Sequence, residues 1–142
     1  MKIMQTFGAI FSVIAAAGVA AAPAHAQQFD IARAGMQIYE SCKAVSSGQI
    51  AGDLRTSCAC LVGYYGGILS DRDLALADIL LRAGVMVERG ASQDEITAEI
   101  GPDIQAGAYS EADINRVAAV VEQAGPRIDQ VCAGFQQPGV SV

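Results

Sequence analysis

Apolar residues recur at intervals of three and four along most of the chain, which is the period of an α-helix with one buried face. Ile31, Ala34, Ile38, Cys42 and Val45 define a first helix from about Asp30 to Val45, closed by Ser46-Ser47-Gly48. Asp53 is placed to cap a second helix with Leu54, Cys58, Leu61, Tyr65 and Ile68 on one stripe. A third runs from about Asp71 to Glu88. It carries two stripes, one of Leu74, Ala77, Leu81 and Val85 and one of Leu76, Leu80 and Val87, so a wide face should be buried. Gly90 is placed to end it. The fourth helix is short, from Gln93 to Ile100, because Gly101-Pro102 should stop it. After a loop through Gly107, Ile114, Val117, Val121, Ala124, Ile128, Val131 and Phe135 mark the last helix. Pro126 inside it predicts a kink or break near Gly125.

Three of these starts carry a Ser followed three residues later by an acid, the pattern of a reciprocal cap: Ser70 with Asp73, Ser92 with Glu95, and Ser110 with Asp113. No alternating run of useful length speaks for a strand. The expected fold is all-α, a small bundle of four to five helices.

The first residues belong to a different kind of segment. Lys2 is the only charge before Asp30, an apolar run spans Phe7 to Ala22, and Ala24-His25-Ala26 follows. A basic start, a short apolar middle and small residues at an A-x-A site make a secretory signal. The run falls short of the ~20 residues of a membrane crossing. The organisation read from this is a signal peptide over 1–26, a helical domain over 27–136 and a frayed tail over 137–142. The destination is the periplasm or the medium, with no membrane attachment after cleavage.

Cleavage removes Lys2 and none of the fifteen acids, so the formal net charge moves from −6 to −7. That balance opposes binding to nucleic acid or to anionic lipid, both of which need a basic footprint. The one histidine, His25, leaves with the signal. Catalysis by Ser-His-Asp or Cys-His sets is therefore ruled out within the mature chain, as is haem attachment through C-x-x-C-H.

Cys42, Cys58, Cys60 and Cys132 form an even set in a small exported domain, for which two disulfides are expected. Cys58 and Cys60 point roughly 200° apart on a helix and cannot bond each other without breaking it. Cys42–Cys58 with Cys60–Cys132 is the preferred pairing, and Cys42–Cys60 with Cys58–Cys132 stays open. The functional alternative is a C-x-C redox site at Cys58 and Cys60. A metal site would need all four as thiolates, against an oxidising compartment, so no metal or cofactor is expected.

Other stretches have a chemical reading and a structural one. In Gly63-Tyr64-Tyr65-Gly66-Gly67, Tyr64, Gly66 and Gly67 form a possible binding patch. Structurally, the glycines would let a neighbouring helix come close while Tyr65 packs inward. Asp71, Arg72, Asp73 and Asp78 share the composition of a calcium loop but not its spacing, and read as capping and solvated residues. Glu99 with Asp103, or Glu111 with Asp113, are the paired carboxylates available for a small hydrolase. Met36 and Met86 read as core filling.

Cys60, Gly63, Tyr64, Tyr65 and Gly67, in a small disulfide-bonded exported domain, resemble a stretch of periplasmic immunity proteins that neutralise secreted toxins. The resemblance covers a small part of the chain, with spacing offset by one residue, and it implies a toxin-binding protein without assigning any residue a role. The leading expectation is a non-enzymatic module binding a protein or small ligand. The alternatives are the redox factor, the immunity-type protein and the carboxylate hydrolase.

Overall fold

A computed structural model of the protein describes residues 29–46 and 54–132. The signal segment, the Ser47-Gly48 stop, the Asp53 cap, Phe135 and the tail lie outside these residues. Within them the fold is all-α. Five helices follow in order: α1 (Ile31–Ser46), α2 (Leu54–Ile68), α3 (Asp71–Glu88), α4 (Gln93–Ala106) and α5 (Glu111–Cys132).

The helix starts follow the Ser-acid pattern. Ser92 Oγ accepts from the Glu95 amide while Glu95 accepts from the Ser92 amide at 2.7 Å, a complete reciprocal cap for α4. Ser110 and Asp113 do the same at the start of α5. At α3 the exchange is one-sided. Ser70 Oγ accepts from the Asp73 amide, and the Asp73 carboxylate instead holds Arg116 of α5 through two bonds of 2.8 and 2.9 Å. Gly90, at φ +80°, closes α3. Its amide donates to Val87 O and the Ala91 amide donates to Met86 O, the two bonds of a Schellman end.

The expected stop of α4 at Gly101-Pro102 does not occur, and neither does a break of α5 at Pro126. α4 continues through Pro102 to Ala106, because Ile104 extends the buried stripe begun by Ile96 and Ile100. Pro102 and Ala98, whose carbonyl loses its donor, are both exposed, so water can replace the missing bond. α5 likewise runs unbroken across Pro126, with Ala124 and Ile128 buried on either side of it. Past the proline the inward position is Cys132, not Val131, which is exposed. Met36 is also exposed and fills no core, while Met86 packs against one.

The core has two parts. One joins α3, α4 and the start of α5 through Leu76, Leu80, Ile100, Ile104, Ile114 and Val117. The other joins α1, α2, the start of α3 and the end of α5 through Ala34, Ile38, Tyr65, Leu74, Ala124, Ile128 and Cys132. Leu69 and Val121 touch both. Cys42 is bonded to Cys58 with Cα atoms 5.7 Å apart, and Cys60 to Cys132 at 5.9 Å. Both disulfides brace the second part. At Gly35 of α1 an added Cβ would lie 3.4 Å from Val62 Cγ1 of α2.

Candidate functional site

Where the first two turns of α1 cross α3 and the end of α4, they leave an open cleft of about 360 Å³. α1 contributes Arg33, Ala34 and Gln37, preceded by Asp30, whose carboxylate caps the helix by accepting from the Arg33 amide at 2.9 Å. α3 contributes Ala75, Asp78, Ile79 and Arg82. Asp103 and Ala106 come from α4, and Phe29 and Tyr109 close one end.

Asp78 is the residue that sets this cleft apart. It falls on the apolar face of α3, four residues after Leu74 and three before Leu81, and is only 3% exposed. Arg82, one turn on, is its counter-charge, with Nε 3.3 Å from Asp78 Oδ2. Asp78 Oδ1 has no hydrogen-bond partner, and the Arg82 Nε–H is not directed at an acceptor in bonding geometry. The guanidinium is shared three ways: it also bonds Asp103 and lies 3.7 Å from Glu99. Burial pushes the Asp78 carboxyl up to about 6, a shift that Arg82 opposes and the nearby Asp103 reinforces.

The aromatic end is built by an unusual turn. After α4 the chain makes a second Schellman end, with Ala108 donating to Gln105 O and Tyr109 to Ile104 O. The left-handed position of this turn is held by Ala108 (φ +48°) and not by glycine. The glycine sits one residue earlier because the Tyr109 ring folds back across Gly107, and any Cβ there would overlap it. The Tyr109 hydroxyl donates to Arg72 O at 3.1 Å, and the Arg72 guanidinium lies 4.7 Å from the ring centre, in cation–π position. Arg72 also pairs with Asp113 at 3.1 Å and donates to Ala108 O. Hydrogen bonds from Arg72 and from the Ser110 backbone hold the Asp113 carboxyl well below the ordinary carboxylate range.

Against the residues singled out from the sequence, the structure draws a different map. All four cysteines are bonded; Cys58 is fully buried and Cys132 nearly so. Gly66 and Gly67 are exposed on α2, whereas Tyr64 is half-buried against the second core and edge-on to Tyr65 at 6.4 Å. The glycines do not admit a neighbouring helix: an added Cβ at Gly63, Gly66 or Gly67 would meet nothing within 4 Å. Glu99 and Asp103 do converge, on Arg82. Glu111 and Asp113 do not act as a pair, since Asp113 is engaged by Ser110, Arg72 and Arg116.

Asp78, read from the sequence among capping and solvated residues, is instead buried on α3, and Arg82 was not singled out. Their signal is present: a carboxylate on an otherwise apolar helix face, with an arginine one turn away. Among the described residues no group of three or more acids or cysteines is placed to hold a metal ion. Comparison of the chain with known protein families, curated proteins and solved structures finds no match to any of them.

Proposed function

We propose that the protein is an exported, non-enzymatic binding module that takes a small ligand in the cleft between α1, α3 and α4. One observation carries this reading. An open cleft lined by charged and aromatic side chains, Asp30, Arg33, Arg82, Asp103, Phe29 and Tyr109, has behind its wall the buried carboxylate of Asp78, one oxygen of which lacks a hydrogen-bond partner. A buried acceptor left unmatched costs about 1–3 kcal/mol, and more when charged.

The surroundings support export. Two disulfides suit an oxidising, extracytoplasmic compartment. Among the described residues no helix is long and apolar enough to cross a membrane. The periplasm is the destination that best fits the form of the signal segment. The redox alternative draws little from the site, because Cys58 is shielded from any thiol partner. The immunity-type resemblance lends no residue to the cleft.

The same acid favours a second reading, the carboxylate hydrolase. A carboxyl held near 6 is suited to donate a proton near neutral pH. The partner carboxylate would have to be Asp103 or Asp30, and both are committed elsewhere, to Arg82 and to the α1 cap. Binding is therefore the better-supported function.

The test is a thermal-shift screen of the oxidised protein against a diverse small-molecule set, repeated on Ala75→Leu, which fills the cleft. Ligands of the cleft raise Tm in the parent and lose that effect in the filled variant. Hits that stabilise both proteins equally, or no hits at all, would overturn the proposal. A hit consumed at a rate abolished by Asp78→Asn would favour the hydrolase.

A further inference from the structure

We infer that Asp78 is a pH-sensitive latch: with its carboxyl protonated the first two turns of α1 stay seated on α3, and with it ionised they lift to let water reach the carboxylate. The device belongs to the fold itself and does not depend on the binding reading above.

The carboxylate is placed where its charge is poorly met. Asp78 is 3% exposed, and its Oδ1 has no hydrogen-bond partner and almost no contact with solvent. An ionised carboxylate wants donors on both oxygens, and burial without them weighs far more on the charged form than on the neutral acid. The charged groups that face it do not supply those donors. On its own helix Arg82 comes within 3.3 Å but shares its guanidinium with Asp103 and Glu99 of α4. Asp103 adds a like charge from that side. From α1, Arg33 attracts the carboxylate more weakly and is itself exposed. Burial prevails over these influences and pushes the carboxyl up to about 6. The chain's one histidine, His25, lies ahead of the helical domain, so no imidazole of the domain titrates in the same range.

Water reaches Asp78 where its cover is held least firmly, and that is α1. α4 is fixed to the larger core by Ile96, Ile100 and Ile104, all buried. In the first two turns of α1, Ala34 and Ile38 are the buried residues, while Ile31, Ala32, Arg33 and Met36 are exposed. The covalent tie of α1 comes one turn beyond Ile38, at Cys42. Ahead of the helix Phe29 rests half-buried against Tyr109, with ring centres 6.3 Å apart. Lifting these turns wets the carboxylate and leaves α4 and the disulfides in place, a local opening and not an unfolding. With α1 lifted the carboxyl returns towards its ordinary 3.8; with α1 seated it titrates at about 6. Between those values seating takes up a proton, so lifting becomes easier as pH rises through this window and levels off above it.

Amide hydrogen exchange of the disulfide-bonded protein tests this, at pH 4 and pH 7.5, with each rate divided by the intrinsic rate at that pH and a series of sub-denaturing urea concentrations at each. The α1 amides over 34–40 should lose about tenfold in protection from pH 4 to pH 7.5, after discounting for the open cleft beside them. Their exchange should not depend on low urea, whereas the amides of Ile100 and Ile104 should follow global unfolding. Asp78→Asn should hold α1 at its pH 4 protection throughout. Asp103→Asn, which leaves Arg82 to Asp78 and removes a like charge, should shift the loss of protection to lower pH, and it serves if Asp78→Asn does not fold. The latch is overturned if α1 protection changes less than about twofold, if α1 exchanges only with the urea dependence of α4, or if the pH dependence survives Asp78→Asn. No ligand enters this experiment, so its failure leaves the cleft screen unaffected.

Discussion

Replacing Asp78 by Asn should stabilise the protein at neutral pH and leave it unchanged in acid. Asn matches Asp in shape and removes the charge. In the fold the Asp78 carboxyl titrates at about 6, against 3.8 for the free group, because burial outweighs the attraction of Arg82. At about 1.4 kcal/mol per pH unit, that difference disfavours the ionised form by roughly 3 kcal/mol. The cleft is open to solvent, so about half, roughly 1–2 kcal/mol, is the better expectation. The sign follows from proton counts. Below about 3.8 the carboxyl is protonated in folded and unfolded chains alike, and it contributes nothing. Between 3.8 and about 6 the folded protein holds a proton the unfolded chain has lost, so stability falls as pH rises. Above about 6 the whole penalty applies. Urea unfolding followed by circular dichroism, from pH 4 to pH 8 and with disulfides intact, reads the effect. With a slope near 1 kcal/mol/M for a domain of this size, the variant's midpoint at pH 7.5 should lie about 1–2 M higher. The two midpoints should converge at pH 4. A variant that is less stable at pH 7.5, or a difference that does not change with pH, would refute the argument and make Asp78–Arg82 a net stabilising pair.

Three further outcomes are expected. Gly107→Ala should cost about 1–3 kcal/mol through overlap with the Tyr109 ring, while Ala108→Gly should gain about 0.5–1 kcal/mol by relieving the left-handed backbone; chemical denaturation measures both. Replacing the Cys60–Cys132 pair by Ala should cost about 4 kcal/mol and the Cys42–Cys58 pair about 3 kcal/mol, since the bonds span 72 and 16 residues. Hydrogen exchange after reduction should lose protection first in α1 and α2 and last in α4. Asp73 and Asp113 are held below the ordinary range, chiefly by hydrogen bonds from Arg116 and Arg72 respectively, so their contribution is present above about pH 4 and lost as pH falls further. Asp113→Asn should therefore flatten the acid limb of the stability curve.

What the sequence made legible was whatever depends on period and on local caps. Helix bounds at α3 follow from two apolar stripes between Ser70 and Gly90, because both ends carry residues whose chemistry stops a helix. The stop expected at Pro102 and the break expected at Pro126 are absent for a tertiary reason. Pro102 and Pro126 each remove one backbone bond at an exposed site, a loss smaller than the burial of Ile104 beyond the first and of Ile128 and Cys132 beyond the second. The Gly63–Gly67 stretch drew attention through composition, yet composition does not say which helix faces meet; an added Cβ at Gly63, Gly66 or Gly67 meets nothing, whereas at Gly35 it would touch Val62. The cleft was hidden for a similar reason. Asp78 and Arg82 lie on one helix, but Arg33, Asp103 and Tyr109 reach them only through the way α1 and α4 pack on α3.

The placement of the cleft follows from how unevenly the fold is held together. α4 and the start of α5 are secured by reciprocal caps, Schellman ends and the larger apolar core, and carry no disulfide. The half containing α1 and α2 has the smaller core, the glycine-rich helix and both disulfides. Sulfur thus reinforces the part where helix propensity and burial are weakest. α1 is fastened covalently at Cys42, near its C-terminal end, while its first two turns rest on α3 through Ala34 and Ile38 and form one side of the cleft. Those turns lie directly over Asp78, a residue whose charge works against the fold. A buried carboxylate that lowers stability is hard to explain by packing, since a neutral isostere would serve the core better.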